Sequence, residues 1–295
     1  MAAPFFWSLP MSAQANPPLP EETPIDLDAY FARIGYQGPR QPDLETLSGI
    51  QFAQATSVPF ENLNILFGRG IALDPESLQR KIVRERRGGY CFEQNGLLLR
   101  VLRQLGFKAE GLIGRVRWMQ PAGAPPTGLT HMLIRVHLPE GPYLVDAGFG
   151  GIRQTVPLKL VPGLVQKTSH EDFRLVEEGS SLLLQADLGG RWGDICAFGL
   201  ETAAGADYEL GNWFTSTHPS SLFVNYLIAE RPAPGLRKML FNDMLTVRVV
   251  GKEPETHMLS SAEEIAAALD EHFDLPVAQD KVPVLEKFVG LTASL

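Results

Sequence analysis

The hydrophobic period changes once along this 295-residue chain, and that change limits what the chain can fold into. Before about residue 107, apolar side chains recur at helical spacing. Leu44, Leu47 and Ile50 fall on one face, and so do Leu98, Leu102 and Leu105. Local signals agree. Asp26 can cap a helix running to Ile34, with Gly35 at its end, and Asp43 can cap a second that Pro59 stops. A third helix fits residues 75–83, and a fourth runs from Cys91 to Leu105. Beyond that point residues 111–118, 131–138, 143–145, 172–177, 181–187 and 191–198 alternate or are apolar, with Gly- and Pro-rich turns between them. That pattern predicts short antiparallel strands. Residues 222–229, 238–241 and 244–250 predict more strands. Ser260 or Ser261, with Glu263 and Glu264, opens a last helix ending near Phe273. Helices first and strands later predict an α+β class with segregated regions.

Composition narrows the function. Hydrophobic residues at 44% are enough for a real core. The 26 basic and 34 acidic side chains give a net charge of −8, a poor match for a phosphate backbone, so no nucleic-acid partner is expected. Two cysteines, Cys91 and Cys196, are too few for a disulfide framework or a cysteine-based zinc site, so a cytoplasmic compartment is the expectation. No apolar run nears the roughly 20 residues that span a bilayer, so no membrane partner is expected. Residues 1–25 read as a flexible extension without a signal peptide, and translation could start at Met1 or Met11.

Arg86-Arg87-Gly88-Gly89-Tyr90-Cys91 is the most informative stretch. Two glycines let the backbone turn tightly and approach a ligand. Cys91 follows at the start of an apolar helix, where unpaired N–H groups and the helix dipole favour a thiolate, the nucleophilic form. Against this stands a buried packing role, ordinary for an isolated cysteine. Cys196, in a strand-like run, reads as core. A cysteine nucleophile needs a base, and the base an orienting group. His131 opens one predicted strand, and Asp146 ends another fifteen positions later, before a glycine-rich loop. If those strands pair as a hairpin their ends meet, and Cys, His and Asp make a triad. His137, about 20 Å along a straight strand from His131, could not share a metal with it, and no metal site is expected.

These residues resemble the arylamine N-acetyltransferases. The segment Arg87-Gly88-Gly89-Tyr90-Cys91-Phe92-Glu93-Gln94-Asn95 resembles the family's active-site motif, and Val58-Pro59-Phe60-Glu61-Asn62-Leu63-Asn64 an upstream one. Residues 28–36 look like its N-terminal helix. Thr130-His131 and Val145-Asp146-Ala147-Gly148 sit where its catalytic His and Asp belong. The resemblance implies a helical bundle over residues 26–107, a β-barrel-like region over 108–210 and an α/β lid over 211–295, with a triad arranged as in cysteine proteases. It implies ping-pong acetyl transfer from acetyl-CoA, as co-substrate, to an arylamine, arylhydroxylamine or hydrazine, in xenobiotic metabolism.

The same resemblance assigns Cys91, His131 and Asp146 as nucleophile, base and orienter. It implies CoA contacts at Thr127, Gly128 and Ser220, and acceptor contacts at Thr130, Phe149, Gly150 and Phe214. Phe214 stands where some members carry a tyrosine, so ring packing is implied there. Glu61 and Arg87 suggest a partly buried bidentate pair that fixes the turn before Cys91. The cluster from Lys81 to Arg87, with Arg115 or Arg117, could neutralise CoA phosphates or simply be solvated. Two other readings keep the same residues: a thiol hydrolase or transglutaminase-like acyl transferase, and a non-catalytic binding module.

Overall fold

Local chemistry sets the first helices. The computed structural model describes residues 23–121 and 123–292; most of the expected extension, and both start methionines, lie outside them. Asp26 accepts from Ala29 N to open α1 (Leu27–Ile34), and Gly35, at φ 72°, closes it in the left-handed region that glycine tolerates. Asp43 Oδ1 accepts from Thr46 N at 2.8 Å to open α2 (Leu44–Ser57). A two-residue strand β1 (Phe60–Glu61) and a turn of helix α3 (Leu63–Leu66) follow. The third predicted helix divides: α4 (Pro75–Leu78) passes into a π-helical stretch over Gln79–Arg84. The wider turn carries Lys81 to a buried position. The nucleophile-bearing helix is α5 (Cys91–Gln104).

The central strands are β2 (Lys108–Val116), β3 (Leu129–Leu138), β4 (Gly141–Val145), β5 (Leu158–Lys159), β6 (Phe173–Glu178), β7 (Ser181–Asp187) and β8 (Trp192–Phe198). They form one antiparallel sheet in the order β5-β4-β3-β2-β8-β7-β6. Gln166 nearly closes it into a barrel. Its main chain exchanges bonds of 2.7 and 2.9 Å with Phe173 of β6, and its side chain exchanges bonds of 2.7 and 2.9 Å with Lys159 of β5. This hides both sheet edges. Phe173, Leu175, Leu184 and Phe198 fill the interior.

Helices α6 (Gly205–Thr217) and α7 (Leu222–Asn225) lead to β9 (Ile228–Ala233), β10 (Leu236–Phe241), β11 (Met244–Val249) and β12 (Glu255–Met258). The predicted strand at 222–229 is therefore helical at its start and extended only from Ile228. Asn62 donates to Phe223 O and Tyr226 O, which holds that turn against the β-prone local sequence. The second sheet runs β1-β9-β10-β11-β12, so β1 from the first helices supplies one of its edges. Ser261 opens α8 (Ala262–Phe273), while Glu264 reaches back to Ser260 N at 2.7 Å. The chain then ends through α9 (Val282–Leu285) and flanking single turns. Among the described residues no helix is long and apolar enough to cross a membrane.

Candidate active site

The turn before Cys91 is held by close approach. A Cβ on Gly88 would sit 2.2 Å from Pro59 O, and one on Gly89 would meet Glu93. The sequence predicts these glycines to make the turn and approach a ligand. Instead they admit the chain's own backbone and side chains, and the left-handed residue is Arg86, at φ 54°. Arg33 pins that residue from below. Its guanidinium donates to Ile82 O, Ser57 O, Arg86 O and Arg87 O.

Four ionisable side chains lie beneath the turn. Lys81 Nζ is 2.7 Å from Glu93 Oε1 and 3.3 Å from Glu61 Oε1, and Arg87 Nη2 is 3.2 Å from Glu61 Oε1. The expected Glu61–Arg87 pair is present, but through one nitrogen rather than as a bidentate fork, because the other carboxylate oxygen accepts from Leu63 N at 2.6 Å. Burial alone would raise the Glu61 pKa, but Lys81 and Arg87 overcome it and hold the carboxyl below its usual range. Burial pushes Glu93 up despite Lys81. Glu93 Oε2 accepts from Tyr90 N at 3.1 Å, and this caps α5. Lys81 is thus committed to the interior rather than to a phosphate. Arg84 pairs with Glu76 at 2.6 Å, Arg117 with Glu178 at 3.1 Å, and Arg115 donates to Thr127 O at 2.5 Å.

Cys91, His131 and Asp146 come together at the N-terminus of α5. β3 and β4 pair antiparallel, with Ile134 opposite Val145, and so carry the histidine and the aspartate to one place. His131 Nε2 is 2.6 Å from Asp146 Oδ2. Cys91 lies against the loop that follows Asp146: a Cβ on Gly148 would sit 2.9 Å from Cys91 Cα. Burial alone would lower the His131 pKa, but the charge and hydrogen bond of Asp146, with the nearby Cys91, raise it to about 10. Cys91 is 4% exposed, His131 2% and Asp146 1%. Cys196 lies in the barrel core, where burial raises its thiol pKa well above the ordinary value.

Asn95 is the member that sequence reasoning passed over. It lies one turn beyond Cys91 on the same face of α5. Its Nδ2 donates to Asp146 Oδ1 at 2.8 Å and to Met132 O at 2.7 Å, while its Oδ1 accepts from Ala147 N at 3.0 Å. Gly148 N also donates to Asp146 Oδ1, at 2.9 Å. One carboxylate oxygen is therefore saturated and the other is left to the histidine. The signal was present in the quoted motif, as an amide four residues after the cysteine.

The remaining predicted residues divide into two sets. Phe149 packs edge-on against the His131 ring at 4.9 Å, and Gly150 lies so close to Phe60 that a Cβ would be 2.7 Å from its ring. Thr130 presents its carbonyl to Cys91 Sγ at 3.6 Å. Thr127 is half-buried and bonded to Val116 O, while Gly128 and Ser220 are exposed. Phe214, on the outer side of α6, stacks on His218 at 4.6 Å, and His218 Nδ1 lies 2.8 Å from Ser220 Oγ. A cavity of about 680 Å³ between α5 and α6 is lined by Phe92 and Met132, the chain neighbours of Cys91 and His131, rather than by those two residues. Among the described residues no group of three or more His, Cys, Asp or Glu side chains is placed to hold a metal ion.

Comparison with known proteins places the chain in a family. A family model described as N-acetyltransferase matches residues 43–282. The arylamine N-acetyltransferase of Mycolicibacterium smegmatis is 42% identical over 249 residues, covering 83% of this chain and 90% of that protein. That of Escherichia coli is 39% identical over 260 residues, covering 88% and 92%. The structure of Mycobacterium marinum arylamine N-acetyltransferase in complex with CoA superposes with a TM-score of 0.86 at 37% identity, covering 90% of this chain and all of that one. The chain belongs to the arylamine N-acetyltransferase family and is an acyltransferase.

Proposed function

We propose that the protein transfers an acetyl group from acetyl-CoA to an aromatic amine, arylhydroxylamine or hydrazine by a ping-pong route through acetyl-Cys91. The observation that carries this reading is the buried His131 ring, bonded to Asp146 at 2.6 Å and drawn up in pKa by Asp146 and Cys91 together. With Nε2 given to the carboxylate, Nδ1 is the nitrogen left to serve the sulfur. An imidazolium held to high pH stabilises a thiolate beside it. The thiolate attacks the acetyl carbonyl, the carbon–sulfur bond to CoA breaks, and CoA leaves as a thiol after taking a proton from His131. The amine then attacks the acetyl-cysteine carbonyl and gives its proton to His131. The amide is released as Cys91 recovers its electron pair. Exchange of one thioester for another is nearly isoenergetic, so orientation carries much of the first step.

CoA is assigned to Thr127, Gly128 and Ser220. The CoA in the M. marinum structure supports the choice of donor. The acceptor is assigned to Thr130, Phe149 and Gly150 beside the triad, and to the ring of Phe214 on α6. Steady-state rates measured with acetyl-CoA and a panel of anilines and hydrazides, both substrates varied, test the reading. Parallel double-reciprocal lines are expected. Intersecting lines would indicate direct transfer in a ternary complex. CoA release at full rate without amine would indicate a thiol hydrolase.

A further inference from the structure

The loop between Asp146 and β5 has no sheet or helix to hold it. Among the described residues no main-chain to main-chain hydrogen bond involves positions 147–156. Side chains hold it instead. Asn95 takes its first residues, and Gln51 Nε2 reaches Val156 O at 3.2 Å. Between them stands Arg153, which is wholly buried. Its Nη1 donates to Ala55 O at 2.9 Å and Val58 O at 2.8 Å, at the end of α2. Its Nη2 lies 3.0 Å from Glu230 Oε2 of β9, off the hydrogen-bonding axis, so charge provides that attraction.

The chain of charges continues. Glu230 Oε1 accepts from Arg237 of β10 at 2.7 Å, and Arg237 also donates to Glu171 at 2.8 Å and to Arg153 O at 3.4 Å. Glu230 and Arg237 are each 1% exposed. Two cations and two anions balance, which is the condition for tolerating so many buried charges. Both the guanidinium and the main-chain carbonyl of Arg153 are therefore fixed, four residues past the Phe149 ring that packs on His131.

We propose that Arg153 is a positioning residue for the amine acceptor, holding the Phe149–Gly150 loop at its distance from His131 through Glu230 and the second sheet. The inference rests on the reading of that loop as the acceptor face. Arg153 touches neither Cys91 nor its base, so it governs the second half-reaction and spares the first. It also governs flat aromatic acceptors, which must lie on the loop, more than small nucleophiles such as hydrazine, which need not.

Arg153→Met tests this, because Glu230 keeps Arg237 as a partner and is not left as a lone buried charge. Three rates are read on the full chain: acetyl-enzyme formation with acetyl-CoA alone, turnover by an aniline, and turnover by hydrazine. The expected result is a fall of about tenfold or more in kcat/KM for the aniline, with the other two within about threefold of the parent. Arg153→Lys, which keeps the charge but not the fork, should show the same selective loss at smaller size. It also serves as the readout if the Met variant does not fold. Equal losses in all three rates would overturn the inference in favour of a purely structural role, and so would no loss at all. Failure of the parent protein itself to form an acetyl-enzyme would reject the acetyl-transfer reading beneath it.

Discussion

His131 Nε2 lies 2.6 Å from Asp146 Oδ2, and both side chains are almost wholly buried. The contact takes up one ring nitrogen, which leaves the other for the sulfur in the proposed route, and it ties the histidine's charge to the aspartate's. Asp146→Asn keeps the volume and the bonds from Asn95 and Gly148, but it removes the charge and presents an amide to Nε2. Acetyl-enzyme formation should slow by about four orders of magnitude, with far-UV circular dichroism unchanged. A loss of less than about tenfold would mean that the aspartate does not orient the base.

The same contact predicts a pH dependence of stability. The His131 pKa is raised from 6.5 to about 10, mainly by the charge of Asp146 acting against burial. A group whose folded pKa exceeds its unfolded one stabilises fully below the unfolded value and loses that contribution as pH rises through the folded one. The Tm advantage of the parent protein over His131→Gln should therefore be largest near pH 6 and shrink steadily towards pH 10. An advantage that grows over this range would contradict the charged pair.

Lys81 sits between two buried carboxylates, Glu93 at 2.7 Å and Glu61 at 3.3 Å. Lys81→Met leaves both without their shared cation and should cost about 3–5 kcal/mol in urea denaturation. Adding Glu93→Gln, which retains an acceptor for Tyr90 N, should recover part of that loss. A single variant as stable as the parent would show the cluster to be energetically idle.

Gly88 has no room for a side chain, since a Cβ would sit 2.2 Å from Pro59 O. Gly88→Ala must push apart the two segments that position Cys91. A cost of about 1–3 kcal/mol is expected, with acetylation impaired beyond what the lost stability explains. The comparison is thiol labelling of Cys91 against urea midpoint. Ordinary labelling with an unchanged midpoint would place the turn elsewhere.

What was legible in the sequence was what local chemistry decides. Asp26, Asp43 and Ser261 cap helices because an oxygen at that position meets nearby amides wherever the rest of the chain goes. The meeting of His131 and Asp146 was legible because two short strands read as a hairpin bring their ends together. Distant packing hid the rest. Leu222-Phe223-Val224 reads as strand, yet Asn62, about 160 positions earlier, turns it into helix. Helix α6 gave no signal, since Leu210 and Trp213 stay on its exposed side and leave a weak apolar stripe. Nothing in the local sequence marks Arg153 for burial, and only folding supplies its two carbonyls and Glu230. Lys81 reads as part of a basic surface cluster until the π-helical turn carries it inward.

In the proposed route the sulfur of Cys91 carries the acetyl group between donor and acceptor. Intact-protein and peptide mass spectrometry after brief exposure to acetyl-CoA without amine tests it directly. One acetyl group on Cys91, absent from Cys91→Ala and discharged on adding an aniline, is the predicted result. An unmodified parent protein, or an adduct that persists in Cys91→Ala, would contradict it.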